Sequence, residues 1–145
     1  MLEFVASRRD RFRPRHQYHE GTNYQVLPRM SSPNLTLNLI EGSVSFRFPP
    51  QAANELQAAL AGLMASLKAT ATKTVPIGRA APQKPMEYQH TGEVFLEIFC
   101  NPNIWPSPFA AKVLITLRDE RIRLTTEAEL SRLVEDVNQY LELVS

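Results

Sequence analysis

His16 and His19, three residues apart with Glu20 alongside, are the nearest thing in this chain to a metal-ligand set. That spacing converges only on a helix, and the surrounding stretch has no helical period, with Pro14 just ahead of it. No metal is expected there. Cys100 is the single cysteine, which excludes an internal disulfide and any cysteine-based metal cluster. Its place at the end of an apolar run predicts a small buried hydrophobe rather than a nucleophile. His90 stands alone at the foot of a loop. The adjacent carboxylates Asp119/Glu120 and Glu135/Asp136 read as a turn and a solvated helix face. Five glycines, none spaced as a nucleotide fingerprint, leave no loop to cradle phosphates. The chain is therefore read as a non-enzyme without cofactors.

What remains is binding chemistry. Strand alternation gathers Arg47, Thr116, Arg118, Arg121 and Arg123 with Phe95 and Phe99 on the sheet face opposite the helices. Single-stranded nucleic-acid binders interleave rings and guanidinium groups in this way, stacking bases on the rings and holding phosphates with the arginines. The plainer reading is a face that is solvated or covered by the N-terminal arm. Trp105, the only tryptophan, lies in the proline-rich loop Asn101 to Pro108. Exposed, it would anchor a partner protein; buried, it would plug the sheet edge. Phe95, Phe99, Trp105, Arg47, Arg118 and Arg123 are accordingly the candidate partner-binding residues.

These side chains need elements to hold them. Leu35, Leu37 and Leu39 alternate with polar residues, Glu41 and Gly42 turn the chain, and Val44, Phe46 and Phe48 alternate again, which predicts a hairpin. Pro49 and Pro50 suit the opening of a helix, on which Leu56, Ala59, Leu60, Leu63 and Leu67 make one apolar stripe. The order recurs near the end of the chain. Val113, Ile115 and Leu117 alternate, Asp119 and Glu120 turn, and Ile122 and Leu124 lead into a helix with its stripe at Leu130, Leu133, Val134, Val137, Leu141 and Val144. Thr126 and Glu129 have the spacing of a capping box at its start. The outer side of that helix, with Glu127, Arg132, Glu135, Asp136, Gln139 and Glu142, reads as solvated. A further strand runs from Glu93 to Cys100.

The fold predicted is α+β: a two-layer sandwich of a mainly antiparallel sheet of about five strands with two helices on one face, built from two strand-strand-helix repeats. One domain spans 1–145, with a basic arm at 1–34, the first repeat at 35–68, a loop or tether at 69–92, and the extra strand plus second repeat at 93–145. A short strand is expected around Tyr24 to Leu27. With 145 residues, 43% of them apolar, and a net charge of +1, the chain has the composition of an ordinary globular protein. No apolar run is long enough to span a bilayer, and the N-terminus has the wrong order for a secretory signal, so a cytoplasmic, membrane-free protein is expected. Charge is unevenly placed. Residues 1–30 hold six arginines against three carboxylates, while residues 119–145 hold three arginines against seven carboxylates. That asymmetry allows the arm to meet the last helix, a second copy in a homodimer, or an acidic partner.

The run from Arg123 to Leu133, with Asn138-Gln139-Tyr140-Leu141 after it, resembles the C-terminal segment of small cyanobacterial proteins of unassigned activity, and within that group an assembly factor of the carboxysome, the CcmS-like type, fits the length and the absence of catalytic residues. The resemblance implies a non-catalytic adaptor or chaperone that binds a flexible tail of a shell protein, with the tail adding to a sheet edge or lying in an apolar groove. A single-stranded DNA- or RNA-binding protein is the alternative.

Overall fold

A computed structural model describes residues 32–71 and 82–145. The expected strand around Tyr24 and the histidine pair His16/His19 lie outside the described residues. The first alternating segments form a hairpin of β1 (Asn34–Asn38) and β2 (Ser43–Arg47), with Leu35 opposite Phe46 and Leu37 opposite Val44. Gly42 closes the turn at φ 98°, a conformation that a Cβ would strain. Backbone bonds from Leu39 N–H to Gly42 C=O and from Phe48 N–H to Pro33 C=O, each 2.9 Å, bracket the ladder. They set its phase. Leu35–Phe46 and Leu37–Val44 are the hydrogen-bonded pairs, so the peptide groups of Ser43, Ser45 and Arg47 point away from β1.

α1 (Pro50–Ala71) follows at once, because Pro50 tolerates a first turn in which its missing N–H has no helical partner. Ala52, Ala53, Leu56, Leu60, Leu63 and Leu67 form its buried stripe. The second sheet contains β3 (Met86–His90), β4 (Phe95–Cys100), β5 (Lys112–Arg118) and β6 (Arg123–Glu129) in that order, all antiparallel. A short 3-10 turn, Pro102–Ile104, lies in the β4–β5 loop, its N-terminus capped by the Asn101 side chain accepting from Asn103 N–H. Tyr88, Leu96, Ile98, Cys100, Val113, Ile115, Leu117 and Ala128 cover the inner face. α2 (Leu130–Val144) buries Leu130, Leu133, Val137 and Tyr140 against the same core.

Three expectations change. Two sheets of two and four strands replace the single sheet of about five. β3 lies in the stretch read as loop, where Met86-Glu87-Tyr88-Gln89-His90 has one large buried residue, Tyr88, and little hydrophobic alternation to detect. The Thr126/Glu129 capping box is absent. β6 keeps its ladder to β5 as far as Glu129, opposite Lys112, so Thr126 is a strand residue opposite Ile115. Glu129 itself is the N-cap residue and makes no side-chain capping bond. Continuing a seven-pair ladder outweighs one local cap.

The hairpin is fastened at its β1 edge. Asn38 donates from its backbone N–H to Asp136 Oδ2 at 2.7 Å and from Nδ2 to Oδ1 at 2.8 Å. Ile40 N–H donates to Glu127 C=O of β6 at 3.3 Å. Asp136 is buried, not part of a solvated helix face. Two tyrosines add ties between elements: Tyr88 Oη of β3 donates to Ala52 C=O in the first turn of α1 at 2.9 Å, and Tyr140 Oη, toward the end of α2, donates to Phe48 C=O in the link between β2 and α1.

Candidate functional site

The strand register places the candidate binding residues. On the outer face of the four-stranded sheet, Glu87, Phe99, Leu114 and Glu127 form one row across the strands; Gln89, Glu97, Thr116 and Thr125 form the next; Phe95, Arg118 and Arg123 form the third. The Arg118 guanidinium lies over the Phe95 ring, 4.2 Å from its centroid. Gln89 Nε2 donates to Glu97 Oε2 at 2.8 Å. Phe95 and Phe99 are half-buried, Leu114 is 42% exposed, and Thr116 between them is 6% exposed. Phe95, Phe99, Arg118 and Arg123 therefore share a face as expected from alternation, but Arg121 sits in the β5–β6 turn and Arg47 on the hairpin. The face also carries Glu87, Glu97, Glu127 and Glu129. It is charge-segregated, not basic.

Trp105 belongs to neither surface. It is half-buried and packs against the core. Burial pushes the Cys100 thiol up from its ordinary range, and the Trp105 side chain offsets this only in part. An inert core cysteine results. The exposed apolar residues of that loop are Trp105's neighbours, Ile104 and, further on, Phe109.

A groove of about 410 Å³ opens between β2 and the turn end of the larger sheet. One wall is Val44, Ser45, Phe46 and Arg47; the other is Glu93, Val94, Leu117, Arg118, Asp119, Ile122 and Leu124. Its lining is mainly apolar, with Arg47 and Glu93 paired across the mouth at 3.7 Å. Ile122 stands at the rim, 66% exposed. The turn that presents it is built by Asp119, whose Oδ1 accepts from Arg121 N–H at 2.8 Å and Ile122 N–H at 2.9 Å. These bonds hold the Asp119 carboxyl below its usual range. Ser43 and Ser45 direct peptide groups away from β1, and among the described residues β2 pairs with β1 alone. Ile122, Val94 and Ser45 were not singled out by the sequence reading. The alternation Ile122/Leu124 pointed inward, and only the Asp119 turn lifts Ile122 out.

No group of His, Cys, Asp and Glu among the described residues could hold a metal ion, and no described helix is long and apolar enough to cross a membrane. His90, at the end of β3, lies edge-on to Phe48 with ring centroids 5.1 Å apart, and its Nε2 is buried with no hydrogen-bond partner among the described residues. Comparison with known proteins finds no matching family model, no matching curated protein and no matching solved structure.

Proposed function

We propose that this protein is a non-enzymatic adaptor that captures an extended segment of a partner protein in the groove beside β2, as an assembly factor or chaperone of the kind the carboxysome-shell resemblance implies. The observation that carries the reading is the groove's construction. An edge strand offers the outward peptide group of Ser45 along an apolar cleft, which is how sheet-edge recognition supplies backbone bonds and side-chain pockets together. Phe95, Phe99 and Arg123 lie on the neighbouring outer face, and Arg118 borders both surfaces.

The test is titration of the full chain with fluorescent peptides copied from the flexible tails of shell proteins. Ile122→Asp is expected to weaken binding by about tenfold or more while moving the melting temperature little, because an exposed anchor contributes to binding rather than to folding. Equal affinity for the variant and the parent removes the groove from the reading. No binding by any tail peptide removes the adaptor. The nucleic-acid alternative loses support from the four carboxylates on the arginine face; a salt-dependent shift of labelled oligonucleotides would restore it.

A further inference from the structure

The outer face of the four-stranded sheet is sorted by charge along the strand direction. Taking the central row Glu97–Thr116–Thr125 as the divide, one side carries Glu87, Phe99, Leu114 and Glu127, with Lys112 and Glu129 opposite each other beyond them, and the other carries Phe95, Arg118 and Arg123. Three of the four strands thus bear a pair two residues either side of the divide: Phe99 and Phe95 on β4, Leu114 and Arg118 on β5, Glu127 and Arg123 on β6. Such a surface is complementary to itself when turned over about the central row.

We propose that this face is a dimer interface, on which a second copy of the chain packs sheet to sheet about a two-fold axis running along the row Glu97–Thr116–Thr125. The rotation reverses strand direction and keeps each strand over its own copy. Phe99 then meets the partner's Phe95, Leu114 lies under the stem of the partner's Arg118, and Glu127 meets the partner's Arg123, each contact occurring twice. Stacked sheets rotate by about 30° relative to each other, so the β4 and β5 pairs align most closely and the long Glu127 and Arg123 side chains bridge the larger offset on β6. Glu97 meets the partner's Glu97 near the axis, with Gln89 beside each carboxylate. That like-charge contact weakens the dimer, and Glu97→Gln tightens it. A face four strands wide at about 4.8 Å spacing is small among specific interfaces.

The dimer does not depend on the adaptor reading, and its test uses no peptide. The full chain is followed by sedimentation over a concentration series, with circular dichroism to verify folding. The parent is expected to dimerise, and Glu127→Arg or Arg123→Glu alone to weaken self-association by about tenfold or more. Mixing the two single variants should regenerate a dimer, since each then supplies the charge the other lacks; the double variant E127R/R123E should self-associate within about threefold of the parent. A merely structural effect of either substitution produces no such rescue. A parent that stays monomeric, a dimer indifferent to both reversals, or two folded variants that fail to associate when mixed overturns the proposal.

Discussion

Asp119 organises a whole turn with one carboxylate oxygen, taking two backbone N–H groups that would otherwise have only water. Because its pKa is lowered in the fold, the stabilisation it gives is present above the ordinary carboxylate range and is lost as pH falls through the folded-state value. Denaturant unfolding of the parent and Asp119→Ala should therefore differ at neutral pH and converge in acid. Tyr88 works in the opposite direction. Burial, with a smaller push from Glu55, raises its hydroxyl to about 12, so the fold favours the neutral phenol. Its contribution is complete below the unfolded value of about 10 and lost as pH rises from there to about 12. Tyr88→Phe, which also removes the bond to Ala52 C=O, is expected to cost about 1 kcal/mol at pH 7. The same variant should flatten the decline of stability in alkali, as read from denaturant midpoints across that window.

Among the elements, α2 fixes both the edge of the hairpin and the core. Asp136 accepts two bonds from Asn38, and removing the carboxylate leaves a part-buried peptide N–H and a side-chain amide without these partners. Asp136→Ala should cost about 3 kcal/mol, and a double-mutant cycle with Asn38→Ala should show strong coupling in urea unfolding. Leu133→Ala and Leu60→Ala remove fully buried side chains and should each cost about 2 to 5 kcal/mol. The start of α2 gives a sharper contrast. Thr126 and Glu129 share no capping bond, so Thr126→Ala and Glu129→Ala should be additive in unfolding free energy, where a reciprocal box would make them non-additive.

For the molecule as a whole, aromatic residues divide between fold and surface in a way that residue type alone does not announce. Trp105 is packed on the core, while Phe109, four residues on, is 86% exposed. Trp105→Ala should lower the melting temperature clearly and Phe109→Ala hardly at all. Phe95 and Phe99 belong to the outer face, half-buried in the single chain, and the proposed dimer would cover them further. The groove and that face meet at Arg118, so an adaptor dimer would present two peptide-binding edges from one assembly.

Local pattern determined the α+β class, the hairpin with Gly42 at its turn, both helical stripes and the shared face of Phe95, Phe99, Arg118 and Arg123, because strand and helix periods depend on neighbours a few residues apart. It did not determine where β6 ends, since the competition between a capping box and a ladder is settled by Lys112, seventeen positions before Glu129. The burial of Asp136 likewise needed Asn38, distant in sequence and brought close only by packing. Separate sheets, the groove between them and the sorting of charge across the outer face exist only in tertiary structure. Each depends on register between strands far apart in the chain, and register is chosen by the summed packing of all the elements together.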